Sequence, residues 1–381
     1  MARRPLHIAG VANDLATAAE PHRGAFVVSL FDAFRAAGAE TTLIVPRPPW
    51  RRDDSTLGPG RVFRPRYLPV SNRTLPGGGS SFRWTAAHFA RAAARASRRL
   101  ASPPTLAYGH FLYPAGWGAL AVAGQWTIPA VVALGESSLA YYERRIGLER
   151  VRRASRHFAG VLAVSEANRA YCINRLGVDP ARIVVIPNAA DPAHFHPADK
   201  TVMRERLGLP VDRPIVAFVG HFTERKGPQR VLAALAHLPE VGAIFLGAGP
   251  DEPTGPQVLF RGLVPNTRVH EWLSAADCFV LPTLAEGSSN AVAEALAVGL
   301  PVIASDIPGV REMVGPDAGL LVDPLDEAGL AAALRTVLQS SGVRDRLSAA
   351  ARSRAEAFTL PERARRILDW IDTSVLSGGV A

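Results

Sequence analysis

The chain of 381 residues contains two successive series of short apolar runs, rich in β-branched residues, that alternate with longer stretches of helical period. In the first series, the runs predicted as strands are residues 6–9, 41–45, 105–108, 130–134, 160–164 and 182–186. The stretches predicted as helices between them include residues 25–37, 82–100 and 139–159. This alternation predicts a parallel sheet with helices on both of its faces.

The second series repeats the pattern after a polar interruption. Residues 187–200 are rich in Asn, Asp and His and contain three prolines, so neither a helix nor a strand is predicted there. The strands predicted after this interruption are residues 214–219, 242–246, 258–260, 278–281, 301–304 and 319–322. The helices predicted among them are residues 227–238, 269–275, 291–298, 327–340 and 344–357.

We therefore predict an α/β protein with two Rossmann-like, doubly wound parallel-sheet domains that face each other across a cleft. The length of the chain suits two domains, each with its own core. The predicted domains are residues 1–190 and 201–360, joined by a linker at 191–200. We also predict a C-terminal helix within residues 361–381 that packs back toward the N-terminal domain.

Several classes of protein are excluded by composition. No segment reaches the roughly 18 uninterrupted apolar residues of a membrane-spanning helix, and residues 114–134 predict a packed helix followed by a strand. The basic start is followed by too short an apolar stretch for a secretory signal, which predicts a cytoplasmic protein. Cys172 and Cys278 lie far apart without a partner motif, so both are expected to be buried apolar residues.

The positive charge of the chain is concentrated in its first half. Residues 1–196 carry 25 Arg and Lys against 12 Asp and Glu, whereas residues 197–381 carry 18 against 22. Arginines cluster in residues 91–99 and 144–156 at spacings that place several on one helical face. They are either solvated helix faces or a surface for an anionic acceptor or for peripheral contact with the inner face of a membrane. Nucleic acid is not an expected partner, because no aromatic-interleaved basic motif accompanies the charge.

One glycine-rich segment begins like the fingerprint of a dinucleotide-binding site. Gly247-Ala248-Gly249 follows a predicted strand, but Glu252 stands where the third glycine of the fingerprint belongs, and two prolines block the helix. No NAD-type cofactor is therefore expected.

A second segment, residues 220–227, also follows a predicted strand and precedes a predicted helix, and it carries Arg225 and Lys226. A guanidinium can hold two phosphate oxygens at once, and an ammonium beside it supplies a compact charge. The segment thus indicates a phosphate site, with solvated turn cations as the alternative.

The segment from Glu286 to Glu294 runs from a loop into a helix. Free backbone N–H groups near Asn290 and Ala291 form a natural site for a diphosphate, which the helix dipole also favours. Glu294 lies one helical turn after Asn290 and is placed to accept hydrogen bonds from ribose hydroxyls, whereas Glu286 in the loop can reach a sugar. The alternative is that both carboxylates only complement the helix dipole.

At these residues the chain resembles glycosyltransferase family 4, whose members have the two-domain GT-B fold. Glu286 and Glu294 match the spacing of the Glu-x7-Glu motif of this family. Other segments that resemble the family in order are residues 21–27, 110–116, 164–166, 186–191, 276–282 and 306–309. The resemblance covers nearly the whole chain and makes the first domain the acceptor side and the second the nucleotide-sugar side.

The resemblance implies roles for individual residues. Gly24 would let the loop backbone approach the β-phosphate of the donor, and Arg225 with Lys226 would neutralise the leaving diphosphate. The remaining donor contacts implied in the second domain are those of Leu263, Val264, Glu286, Ser289, Asn290, Ala291 and Glu294. His110 would contact the sugar as a catalytic residue, although a lone histidine after a buried strand is also a common structural residue. Many members carry Arg where this chain has His221.

The reaction implied by the resemblance is retaining transfer of a hexose from a nucleotide diphosphate sugar to a hydroxyl acceptor of polysaccharide, glycolipid or natural-product biosynthesis. No metal ion or other cofactor is expected, because the sequence has no Asp-x-Asp motif and has cations to stabilise phosphate charge. Two alternatives remain: another GT-B enzyme, such as a nucleotide-sugar epimerase or a phosphorylase, and a sugar-nucleotide sensor without turnover.

Overall fold

The computed structural model describes residues 6–15, 24–51, 53, 57, 60–70, 81–136 and 140–377. Two compact units are present. The first comprises Met1–Ile186 with Arg363–Ala381, and the second comprises Pro187–Glu362. Residues 187–199 contain neither helix nor strand apart from one bridge between Ala190 and Thr359. The boundary between the units thus falls at the start of the polar interruption in the sequence.

The first unit is built on a parallel sheet. Its described strands are β1 (His7–Val11), β2 (Glu40–Ile44), β3 (Val62–Phe63), β4 (Leu106–His110), β5 (Ala130–Leu134), β6 (Gly160–Ala163) and β7 (Ile183–Val185). They lie in the order β3-β2-β1-β4-β5-β6-β7. Strands β1, β4 and β5 are buried along their whole length, as expected of strands covered by helices on both faces. The predicted parallel sheet is confirmed, and only the short edge strand β3 was not predicted.

The described helices of the first unit are α1 (Ala25–Ala36), α2 (Phe82–Ser97), α3 (Trp117–Trp126), α4 (Ala140–Ile146), α5 (Leu148–Ser155) and α6 (Glu166–Asn174). The core on one face of the sheet includes Phe89 of α2 and Val132 of β5. The prediction of one helix over residues 139–159 is wrong. Gly147 adopts a φ of 92°, which an α-helix does not contain, and separates α4 from α5.

The second unit contains a second parallel sheet. Its strands are β8 (Ile215–Val219), β9 (Gly242–Leu246), β10 (Val258–Gly262), β11 (Cys278–Leu281), β12 (Val302–Ser305) and β13 (Gly319–Val322), in the order β10-β9-β8-β11-β12-β13. All six were predicted to within two residues at each end. Phe218, Phe245 and Phe279 are fully buried in its core.

Helices surround this second sheet. They are α7 (Lys200–Leu207), α8 (Pro228–Leu235), α9 (Val269–Ser274), α10 (Asn290–Ala297), α11 (Pro308–Val314), α12 (Glu327–Gln339) and α13 (Ser341–Ala355). A further helix, α14 (Leu360–Trp370), continues into a last turn at Ile371–Leu376, and its residues from 363 onward belong to the first unit. There Trp370 packs close to Gly160 of β6, and Arg366 donates a hydrogen bond to the Val185 carbonyl.

Cys172 and Cys278 are both buried and unpaired, which confirms their expected place in the cores. Among the helices of the described residues, none combines the length and the apolar character needed to cross a membrane.

Candidate active site

Each sheet reverses its strand order at one point, between β1 and β4 in the first unit and between β8 and β11 in the second. Ligands of such sheets bind beyond the carboxyl ends of the strands at this point. The residues that follow β8 and β11 are the segment 220–227 and the loop leading to Glu286. The sheet topology therefore brings together the two segments of the second unit that the sequence singles out.

The two cations of the first segment contact the glutamate of the second. Lys226 Nζ lies 2.5 Å from Glu286 Oε2, and Arg225 Nη1 lies 3.7 Å from the same oxygen. The side chains of Lys226 and Glu286 are each 12% exposed, whereas that of Arg225 is 40% exposed. Two positive charges against one negative charge leave a net positive charge here, which favours the approach of a further anion.

Backbone contacts hold these segments in place. The Arg225 carbonyl accepts hydrogen bonds from the Leu284 amide (2.8 Å) and the Thr283 hydroxyl (3.2 Å). Arg225 Nη1 donates to the Ala285 carbonyl at 2.7 Å. The guanidinium is thus oriented through Nη1 by a main-chain contact as well as by Glu286.

Helix α10 begins directly after this loop. The Ser289 side chain caps it by accepting a hydrogen bond from the Val292 amide at 3.4 Å. The amides of Asn290 and Ala291 lie in the first helical turn, where N–H groups have no intrahelical acceptor. The positive end of the helix dipole and these amides favour an anion at this position.

Two segments that resemble the family support the start of α10. The Asn188 amide donates to Ser288 Oγ (2.9 Å), and its side chain donates to the Ser288 carbonyl (2.8 Å). Gly309, in the first turn of α11, approaches so closely that an added Cβ would lie 2.2 Å from the Gly287 carbonyl oxygen. Asn188 and Gly309 therefore fix the path of the loop between Glu286 and Ser289.

Glu294 lies one turn into α10, half-buried. Burial raises the pKa of its carboxyl to about 8, although a hydrogen bond with the Asn266 side chain offsets part of this effect. Asn266 follows Leu263 and Val264 in the loop after β10, so the fold brings this loop to the side of α10 that carries Glu294. Leu263 is 52% exposed and Val264 is half-buried. Asn266 was not among the predicted site residues, and its only signal in the sequence was its place in this loop.

The segment Gly247-Ala248-Gly249, which departs from the dinucleotide-binding fingerprint, has a structural role. The Phe222 amide donates to the Ala248 carbonyl, and the Asp251 amide donates to the Phe222 carbonyl, each at 3.0 Å. An added Cβ on Gly249 would lie 2.2 Å from the Phe222 carbonyl oxygen. These glycines allow the loops after β8 and β9 to pack together.

Within the described part of the chain, no three His, Cys, Asp or Glu side chains are grouped as metal ligands.

In the first unit, Gly24 and His110 lie near the point where the strand order reverses. Gly24 precedes α1 with a φ of 64°, and an added Cβ would lie 2.6 Å from the Asp14 carbonyl oxygen, so a larger residue does not fit there. Residues 21–23 of the same loop lie outside the described residues. His110 ends β4, and its ring centroid lies 5.2 Å from that of Phe26 on α1. The fold thus brings His110 close to the start of α1.

The electrostatic setting of His110 is unusual. Burial, reinforced by the charge of Arg363, lowers the pKa of its imidazole to about 3, so the ring is neutral near pH 7. Glu136, just after the adjacent strand β5, is a second perturbed group: burial raises its pKa to about 7. Its Oε1 accepts from the Leu112 amide at 2.6 Å, and a side-chain hydrogen bond with Tyr142 offsets a further part of the rise in pKa. Neither Glu136 nor Arg363 was predicted as a site residue.

Comparisons with known proteins agree with this fold. The chain matches the family models "Glycosyltransferase Family 4" over residues 24–194 and "Glycosyl transferases group 1" over residues 199–354. It is 31% identical over 336 residues to TuaC of Bacillus subtilis (strain 168), named as a glycosyltransferase of teichuronic acid biosynthesis; the match covers 83% of this chain and 85% of that protein.

Solved structures show the same fold at lower sequence identity. The sucrose-phosphate synthase of Thermosynechococcus elongatus superposes with a TM-score of 0.82 at 22% identity, covering 98% of this chain and 100% of that one. HepE of Anabaena, solved in complex with UDP-glucose, superposes with a TM-score of 0.74 at 17% identity, covering 97% of this chain and 100% of that one. The chain therefore belongs to glycosyltransferase family 4 and has the GT-B fold.

Proposed function

We propose that this glycosyltransferase is a retaining enzyme that moves a hexose from a nucleotide diphosphate donor to a hydroxyl acceptor. The observation that carries the proposal is the placement of Arg225 and Lys226 around Glu286, beside the first turn of α10. The structurally similar HepE holds UDP-glucose, which supports a donor of this class. Membership of the family supports the transfer reaction itself.

The diphosphate of the donor is proposed to bind between the two cations and the amides of Asn290 and Ala291. In the unliganded protein, Glu286 compensates part of the positive charge of Arg225 and Lys226. A diphosphate carries more negative charge than one carboxylate and offers several oxygens to the guanidinium and ammonium groups. Binding would therefore draw the cations away from Glu286, whose carboxylate could then accept hydrogen bonds from sugar hydroxyls.

The nucleoside end of the donor is proposed to bind beside Glu294. Its carboxylate would accept hydrogen bonds from the ribose hydroxyls, while the backbone of Leu263 and Val264 would contact the base. The closeness of the 263–266 loop to α10, shown by the interaction of Asn266 with Glu294, supports this placement. In the first unit, Gly24 is proposed to approach the β-phosphate.

The chemistry proposed is attack by the acceptor hydroxyl on the face of the sugar from which the diphosphate leaves. The bond from the anomeric carbon to the phosphate oxygen breaks, the new glycosidic bond forms, and a leaving phosphate oxygen takes the proton of the acceptor hydroxyl. Arg225, Lys226 and the α10 amides stabilise the charge that develops on the diphosphate. His110, neutral near pH 7, would serve as a hydrogen-bond partner of the sugar rather than as an acid.

No metal ion is required in this proposal. The negative charge that a divalent cation would neutralise is assigned instead to two side-chain cations and a helix terminus. The supporting observation is that both cations already lie at the start of α10, within reach of one carboxylate.

The protein is further proposed to act at the inner face of a membrane through the basic surface of α2. The exposed stripe of this helix carries Trp84, Arg91 and Arg95, Arg98 follows directly at its C-terminal cap, and no acidic residue occurs in the helix. Trp84 is 48% exposed, and the neighbouring Leu68 is 63% exposed. An aromatic ring beside several arginines suits the interface of a bilayer that contains anionic lipid.

The function is tested by a thermal-shift screen against UDP-, GDP-, ADP- and TDP-sugars, because a bound donor stabilises the fold by mass action. The donor found in this way is then incubated with an alcohol acceptor, and NMR identifies the anomeric configuration of the product. A product that retains the donor configuration supports the proposal, whereas inversion contradicts the retaining mechanism. Epimerised nucleotide sugar, or donor binding without any turnover, would favour the epimerase or sensor alternatives.

A further inference from the structure

Met313, near the end of α11, contacts the loop that leads into α10. The residue is 1% exposed and belongs to the core of the second unit. The Ser289 amide donates a hydrogen bond to its sulfur at 3.1 Å, and the Ser288 hydroxyl donates to the same atom at 3.2 Å. Methionine usually fills gaps in apolar cores, and its thioether is only a weak acceptor. Met313 therefore serves as a polar partner of this loop as well as a part of the core.

Both donors that reach the sulfur are buried. Ser288 is 4% exposed and Ser289 is 2% exposed, so water has little access to either group. A buried donor without an acceptor costs free energy, because it has lost its hydrogen bonds to water. The Ser288 hydroxyl oxygen also accepts from the Asn188 amide at 2.9 Å. The sulfur thus ends a chain of hydrogen bonds that runs from Asn188 through Ser288 to Met313.

The orientation of Ser289 decides which amides at the start of α10 remain for a ligand. Its carbonyl accepts from the Ala293 amide at 3.1 Å, and its own amide is directed at Met313. The amides of Asn290 and Ala291 follow in the first turn, where N–H groups have no intrahelical acceptor. The contact with Met313 therefore sets the direction in which the helix presents these two amides.

We propose that Met313 is a positioning residue of the diphosphate site. Its sulfur holds residues 288–289 so that the first-turn amides of α10 face the donor diphosphate. Hydrogen-bond donors stabilise the charge that develops on a leaving group only when they are aimed at it in advance, so a small displacement of this turn lowers the rate. The inference rests on the proposed function, because it assigns these amides to the leaving diphosphate.

The binding test uses inorganic pyrophosphate as the probe on the full-length protein, because this ion carries the diphosphate without a base or a sugar. Met313→Leu nearly keeps the volume of the side chain and removes the acceptor. Met203→Leu is the matched control, since Met203 on α7 packs against the same core. In calorimetry, we expect Met313→Leu to weaken pyrophosphate binding about tenfold and Met203→Leu to leave it unchanged.

A steady-state assay separates positioning from a loss of stability. With the donor found in the thermal-shift screen, Met313→Leu should lower kcat about tenfold and leave KM for the acceptor unchanged, because the amides act on the leaving group. A variant that is only less stable would unfold at lower urea but, while folded, would keep the wild-type kcat and affinity for pyrophosphate. That result, or equal pyrophosphate binding by Met313→Leu and Met203→Leu, would overturn the inference.

A measurement on the wild-type protein keeps the test decisive if Met313→Leu does not fold. Serine follows serine in this chain at residues 80–81, 137–138, 288–289 and 340–341. Serine labelled with ¹³C at the carbonyl and with ¹⁵N restricts a carbonyl-to-amide NMR spectrum to these peptide bonds, and Ser288→Ala identifies the Ser289 signal by its loss. This amide should exchange slowly with solvent, and pyrophosphate should shift its signal. Rapid exchange, or an unchanged signal at saturating pyrophosphate, would contradict the role of Met313.

The same experiments distinguish this inference from the proposed function. If the wild type binds pyrophosphate and transfers the sugar, and Met313→Leu does both equally well, the inference is wrong and the transferase function stands. If the wild type binds neither pyrophosphate nor a nucleotide sugar, the proposed diphosphate site is wrong, and the inference fails with it.

Discussion

The raised pKa of Glu294 makes its proposed contact with ribose dependent on pH. Ribose hydroxyls donate hydrogen bonds, so the carboxylate has to be ionised to accept them fully. With a pKa of about 8 in the unliganded protein, the group is largely protonated at pH 7. Ionising it at pH 7 costs about 1.4 kcal/mol, since one pKa unit corresponds to that free energy, and at pH 9 the cost almost disappears.

This cost predicts how the affinity for nucleotide changes with pH. Binding that requires the ionised carboxylate should strengthen about tenfold between pH 7 and pH 9, because the penalty of one pKa unit is lost. Glu294→Gln has no proton to lose and should lack this increase. At pH 9 the variant should therefore bind nucleoside diphosphate more weakly than the wild type by about 1–3 kcal/mol. At pH 7 the difference between the two proteins should be smaller by roughly 1.4 kcal/mol, because the wild type then pays the cost of ionising Glu294.

The measurement is calorimetry with the nucleoside diphosphate alone, for both proteins, at pH 7, 8 and 9. The titration of the ligand itself is the same for both proteins, so the ratio of their affinities isolates the contribution of Glu294. Glu286→Gln is the matched control and should keep the rise of the wild type, because its carboxylate is assigned to the sugar. A ratio that stays constant across this range, or a loss of the rise in the control, would refute the reasoning.

Four further outcomes are expected. Glu286→Gln should lower kcat by orders of magnitude and leave affinity for the free nucleoside diphosphate unchanged or slightly stronger, since it releases Lys226 from an ion pair; a normal kcat would contradict the assignment. Turnover should survive excess EDTA, and activity that returns only with Mn²⁺ or Mg²⁺ would exclude metal independence. Co-sedimentation with liposomes should rise with the fraction of anionic lipid and fall with salt, and it should be weaker in the double variant Trp84→Ala/Arg91→Gln. Binding that depends on neither lipid charge nor salt would rule out the membrane surface. Gly309→Ala should destabilise the second unit by about 1–3 kcal/mol in urea unfolding, because its Cβ would meet the Gly287 carbonyl; unchanged stability and kcat would show that the loop adapts.

The amino-acid sequence alone was sufficient to predict both sheets. Parallel strands buried on both faces appear as continuous apolar runs, and this local pattern located β8 to β13 and most of the first sheet. The loops that carry Arg225, Lys226 and Glu286 could be identified for the same reason, since functional residues of such sheets follow the strands. The strands and the loops that follow them depend on residues close together in the chain, so the sequence predicts them directly.

Other features were decided only by the tertiary structure. The break at Gly147 depends on a backbone conformation that the helical period of residues 139–159 does not reveal. Asn266 reaches Glu294, and the charge of Arg363 acts on His110, only because the fold brings together elements that are distant in sequence. The perturbed pKa values of Glu136, Glu294 and His110 likewise come from burial by such elements. A sequence lists the charges of a protein, but their distances and their separation from water arise only when the chain is folded.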